Sequence, residues 1–176
     1  MAPRKRTRTW WVWLIGSILA GAPIHGAGGS GRVVDAAKSG DFAAVRALIA
    51  QKADVNVPEA DGMTALHWAV RANDLPTVQA LIRAGARVNT TNRYGMTPLL
   101  LASQNGDPKV VAALLKAGAN PNTAMPEGET PLMSAARTGN VDSIKLLVET
   151  GAKIDAHEQW QGQSRSEEQT SELQSR

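Results

Sequence analysis

The pentapeptide Gly95-Met96-Thr97-Pro98-Leu99 recurs at a fixed distance along the chain. Gly62-Met63-Thr64-Ala65-Leu66 begins 33 residues before it, and Gly128-Glu129-Thr130-Pro131-Leu132 begins 33 residues after it. Other positions keep the same step: Gly85, Gly118 and Gly151; Asn89, Asn122 and Asp155; Gly40, Asn73, Gly106 and Gly139. A strict period of this length marks stacked repeats, in which no unit buries its apolar face alone and each touches only its neighbours. A single-core fold is therefore excluded for most of the chain.

Within one period the residues describe two short helices and a turn. Threonine ahead of an apolar run is a good N-cap, and Pro98 and Pro131 fall at the first helical position, where the missing N–H costs nothing. The first helix is expected through Leu99–Ser103 in one repeat and Leu132–Ala136 in the next, ending at Asn105-Gly106 or Thr138-Gly139. A second helix follows, with Asp107 as its cap, a Val110-Val111 and Leu114-Leu115 stripe at helical spacing, and Gly118 as its stop.

These motifs resemble the ankyrin repeat, whose period is 33 and whose signature is Thr-Pro-Leu-His-x-Ala. Thr64-Ala65-Leu66-His67-Trp68-Ala69 lacks only the proline, while the next two repeats keep the proline and replace the histidine with Leu100 and Met133. Ala84-Gly85-Ala86-Arg87-Val88-Asn89 and Ala117-Gly118-Ala119-Asn120-Pro121-Asn122 are similar to the family's Gly-Ala-Asp-Val-Asn ending. The likeness spans roughly residues 32–163. It implies an all-α solenoid of stacked helix-turn-helix repeats with finger loops. Arg32 to Asn56 form a degenerate first repeat, in which Lys52 stands where later repeats have glycine; such drift suits a terminal cap with one neighbour.

Ahead of the repeats, Arg4, Lys5, Arg6 and Arg8 precede an apolar run from Trp10 to Ala22. That run suits the core of a secretory signal and is too short to span a bilayer comfortably. Residues 1–28 are thus expected to be a signal peptide and linker, with cleavage leaving a start between residues 23 and 30. The mature protein would be exported, periplasmic or secreted, and would meet a membrane only through this segment; an uncleaved N-terminal tether is the alternative. Gly26, Gly28 and Gly31 spell Gly-x-Gly-x-x-Gly, but a dinucleotide loop needs a preceding strand in a βαβ unit. A flexible linker explains them better.

The formal charge of +3 belongs to the leader. Between residues 29 and 164 there are 13 Lys and Arg against 13 Asp and Glu, so no basic stripe remains for nucleic acid, and aromatic residues are too few for stacking platforms. Cysteine is absent, so stacking alone stabilises an exported domain without disulfides.

The repeat domain is expected over residues 29–163, about four repeats plus the start of a fifth. His157 to Gln163 has the character of another finger, with Gly162 one residue late. Ser164 to Arg176 is polar, without periodicity, and resembles an in-frame translation of sequencing-adapter DNA with histidine where Gln169 stands. It is expected to be a disordered, non-native tail, and a natural disordered tail is the alternative. The native array is then expected to continue past residue 164.

Catalysis needs a positioned nucleophile, base and stabiliser. The three histidines are His25 in the linker, His67 at a helix start and His157 in the last finger, with no spacing that suggests a metal. In the ankyrin family a histidine at the place of His67 commonly bonds across to a neighbouring turn. Carboxylates such as Glu59, Asp61, Glu127 and Glu129 are scattered on loops. Asn89-Thr90-Thr91 is a formal glycosylation sequon, but Asn89 is also a repeat position. No catalytic residue, cofactor, metal or small-molecule substrate is expected.

What remains is a surface for contact with a protein partner. The resemblance implies finger loops and the first-helix side of the solenoid, hence Asp61, Met63, Arg93, Tyr94, Met96, Glu127 and Glu129 on fingers, with Arg71, Gln104 and Arg137 on helices. Tyr94 and Trp160 are the expected anchors, since aromatic and arginine side chains dominate interface energies. Tyr94 could instead pack on the next finger. Trp68, beside Leu66 and Ala69, is expected in the core. The chain is thus expected to be a non-enzymatic interaction module; the alternative is the interaction arm of a larger enzyme or receptor.

Overall fold

The computed structural model describes residues 32–154, which form eight helices. They are α1 (Arg32–Lys38), α2 (Phe42–Ala50), α3 (Ala65–Arg71), α4 (Leu75–Arg83), α5 (Pro98–Asn105), α6 (Pro108–Lys116), α7 (Pro131–Thr138) and α8 (Val141–Glu149). Helices α1, α3, α5 and α7 pack side by side in one layer, and α2, α4, α6 and α8 in a second. This is the all-α repeat architecture expected from the period. The leader and the segment from Asp155 onward, with His157, Trp160 and the tail, lie outside the described residues.

The caps follow the repeat grammar. Leu100 N–H donates to Thr97 Oγ1 (3.1 Å), and Met133 N–H donates to Thr130 Oγ1 (3.3 Å). In the second helices Asp41, Asp107 and Asn140 accept from Ala44, Lys109 and Ser143 at 2.8–2.9 Å. Each such cap satisfies an otherwise orphaned helix N–H and is worth about 1 kcal/mol.

The core lies between the layers. Leu66, Val70, Val78, Leu81, Leu99, Val111, Leu114 and Leu147 are buried with the small Ala69, Ala102 and Ala135 between them. The alanines let neighbouring first helices approach closely, which the stacking requires. Two ladders tie the repeats outside this core. Asn56, Asn89 and Asn122 each donate Nδ2 to the carbonyl of Gly85, Gly118 and Gly151, respectively, at 3.0 Å. The same side chains accept from the N–H of Arg87, Asn120 and Lys153 at 2.8 Å.

The finger glycines are required by finger-on-finger packing. A Cβ on Gly62 would lie 2.9 Å from Asn92 Cα, and one on Gly95 would lie 2.6 Å from Pro126 Cδ. Both also hold positive φ, at +86° and +77°. Lys52 takes the left-handed turn (φ 59°) that Gly85, Gly118 and Gly151 take later, so the first repeat keeps the backbone path without the glycine.

Candidate protein-binding face

Each finger folds back on itself before the next first helix begins. Glu59 N–H donates to Met63 O (2.8 Å), Asn92 to Met96 (3.1 Å) and Met125 to Glu129 (2.9 Å). Adjacent fingers join through Arg93 N–H to Asp61 O (2.9 Å). Asn92 Oδ1 accepts from both Tyr94 and Met96 N–H at 2.9 Å, which fixes the tip that carries Arg93 and Tyr94.

The fingers run into the exposed side of the first helices as one surface. Lys38 Nζ on α1 lies 3.1 Å from Glu59 Oε1 in the first finger, and Arg137 on α7 lies 3.0 Å from Glu129 Oε1 in the third. Ser134 Oγ donates to the same Glu129 oxygen at 2.6 Å.

At one residue of this boundary, histidine couples two repeats. His67 is fully buried; its Nδ1 faces Thr64 N–H (3.2 Å) and the Thr64 hydroxyl (2.9 Å), and its Nε2 lies 3.1 Å from Met96 O in the next finger. A backbone N–H can only donate, so Nδ1 is the acceptor and Nε2 carries the proton that Met96 O receives. Burial pushes the His67 pKa below the ordinary histidine range, opposed by the Met96 carbonyl among smaller influences. The expected cross-turn bond is present, and its function is structural.

The residues expected to make contact are distributed unevenly. Tyr94 is 55% exposed and carries the Arg93 guanidinium 4.9 Å from its ring centroid. Arg71, Gln104 and Glu127 are exposed, and Arg137 is exposed and paired with Glu129. Asp61 is half-buried and spends Oδ1 on the Met63 N–H (2.9 Å). Met96 is half-buried, with its carbonyl taken by His67. Glu129 is largely covered, its carboxylate committed to Ser134 and Arg137. Met63 is a correction: only 5% exposed, with its sulfur facing Asn92 Nδ2 at 3.4 Å, it packs beneath the next finger and offers nothing to a partner. Trp160 lies outside the described residues.

Trp68 is corrected in part: it packs against the core but is only half-buried, at the core's edge. Leu66, Ala69 and Val70 already fill the inward side of α3. The indole has two cations near its ring, with Lys38 Nζ 5.7 Å and Arg71 Cζ 5.5 Å from the centroid. The signal was present in the sequence: Trp68 and Arg71 are three apart on one helix, so they share a face, and Lys38 is one period before Arg71.

A separate groove of about 430 Å³ lies on the other layer, between α4 and α6, lined by Gln79, Ile82, Arg83, Ala113, Lys116 and Ala117. None of the residues expected to make contact lines it.

Compared with known families, the chain matches a model described as ankyrin repeats (3 copies) over residues 33–125 and 91–158. A comparison with curated proteins returns no match.

Proposed function

The chain belongs to the ankyrin-repeat family, whose members generally mediate protein–protein interaction, and from that premise we propose that it binds a partner protein across its fingers and first-helix face. The observation that carries this reading is the pair of aromatic–arginine stacks on that face, Trp68 with Arg71 and Tyr94 with Arg93. Aromatic and arginine side chains held rigid at a surface are the types that dominate interface energies, and stacking reduces the entropy lost when a partner docks. The family is typically non-enzymatic, and the ion pairs and hydrogen bonds of this face hold the fingers on the helices.

The test compares the full chain with Arg71→Ala/Tyr94→Ala/Gln104→Ala as paired affinity baits for proteins of the source cell. Partners of this face are retained by the parent and lost by the variant. Identical retained sets would place binding elsewhere.

We further propose that the mature protein acts outside the cytoplasm, motivated by the basic and apolar leader.

A further inference from the structure

Equivalent points along the first helices are occupied by Lys38, Arg71, Gln104 and Arg137, each one period from the last. The outer two cations are neutralised by acids of the fingers, Lys38 by Glu59 and Arg137 by Glu129. For Arg71 the equivalent places hold Asn92 in the next finger, where Lys38 finds Glu59, and Met63 in its own finger, where Arg137 finds Glu129. Among the described residues Arg71 and Arg93 have no carboxylate within ion-pair distance. Each is held against an aromatic ring instead. Of the finger-tip acids, Asp61 is turned to its own Met63 N–H, and Glu127 belongs to the next finger.

A further observation bears on the same place. Leu101, one period after Trp68, holds the equivalent position on α5, the neighbouring first helix, and is half-buried, so it supplies an apolar side chain there.

Resting on the binding reading above, we propose that the partner presents an acidic peptide segment, with a carboxylate taken by Arg71 and an adjacent apolar side chain seated on Leu101. Arg93 takes a second acid. The argument is charge complementarity. A guanidinium fork matches a carboxylate in two parallel bonds, and stacking leaves its in-plane N–H groups available. Lysine or arginine in the partner would instead meet uncompensated positive charge.

The experiment selects phage-displayed random short peptides on the full chain and on Arg71→Glu, with folding of each checked by circular dichroism. The parent should enrich peptides carrying Asp or Glu beside an apolar residue. Arg71→Glu should shift the enrichment to Lys or Arg. A synthetic copy of a parent-selected peptide should bind Arg71→Gln roughly ten- to a hundredfold more weakly. Its affinity should fall as salt rises. Peptides that lose affinity to Gln104→Ala or Tyr94→Ala but show no acidic enrichment, or that bind Arg71→Gln as well as the parent, overturn the acidic partner and leave the binding face standing. An empty selection, or peptides indifferent to every substitution on the fingers and first helices, overturns both.

Discussion

The third and fourth repeats carry nearly the same grammar and end in different surroundings. Leu99 and Leu100 on α5 are each 1% exposed, whereas their counterparts Leu132 and Met133 on α7 are half-buried. Val111 on α6 is fully buried and Ile144 on α8 is not; Leu115 is half-buried, and Val148 is 40% exposed. Helix lengths, first-helix caps and left-handed turns are the same in both. What differs is the number of neighbours: α5 packs against both α3 and α7, whereas α7 has only α5 in its layer among the described residues. A repeat's own residues therefore decide its shape, and its place in the stack decides how much of its apolar surface contributes to stability.

The largest test of this difference is truncation at one equivalent position in each repeat. Leu99→Ala should cost about 2–5 kcal/mol, because it removes a fully packed side chain and leaves a cavity. Leu132→Ala should cost less than half as much, since that side chain is only partly withdrawn from water. Urea unfolding measures both, and equal losses would mean that the two repeats are equally enclosed.

Most of the fold was legible in the sequence because the period fixes it. The Thr-Pro entrances and the glycine turns recur often enough to be identified without a structure, and Asp107 was legible as a cap; the Asn140 cap was not. The face was less legible, for two physical reasons. Met63 and Met96 occupy one repeat position, but Met63 is covered and Met96 only partly so; burial at a finger base depends on what the next finger places over it. Trp68 is apolar within an apolar helix, which masks the face it shares with Arg71; the structure resolves this, because Leu66, Ala69 and Val70 already fill the inward side of α3.

The comparison sharpens at the histidine position, where the repeats carry His67, Leu100 and Met133 in turn. Only the second repeat therefore bonds through this side chain to the finger of the next. Burial holds the pKa of His67 below its ordinary value near 6.5, so between the two values the unfolded chain binds more protons than the folded one. The contribution of neutral His67 is fully present above the unfolded value. It is lost as pH falls below about 6.5, until the folded value is passed. Protonation would also turn Nδ1 into a donor facing the Thr64 N–H. His67→Ala should cost about 1–3 kcal/mol at neutral pH, since it strands the Thr64 N–H and leaves the Met96 carbonyl with only its Asn92 N–H donor. The variant's stability should vary less with pH between about 5 and 7 than that of the parent, and parallel profiles would show that the acid sensitivity arises elsewhere.

The smallest expected effect is also the most local. Helix α8 has α6 and α7 as its neighbours and exposes Val141 at 58% as well as Val148, whereas α6 lies between α4 and α8. At the position of the fully buried Val110, α8 carries Ser143, which is equally buried and has a hydroxyl without a partner among the described residues. Both features weaken α8: one withholds burial, and the other adds an unsatisfied polar atom. Amide hydrogen exchange should therefore be faster at Ser143 to Glu149 than at Val110 to Leu115, by on the order of 1 kcal/mol in opening free energy, or roughly fivefold in rate. Two variants separate the causes. Ser143→Ala should slow exchange in α8 if the stranded hydroxyl matters, because it removes that atom with little change in packing. Val148→Lys should alter stability by less than about 0.5 kcal/mol if that face is open to water, and a larger loss would mean that something packs on it. Equal protection of α6 and α8 would remove the asymmetry altogether, and the two repeats would then differ in exposure without differing in stability.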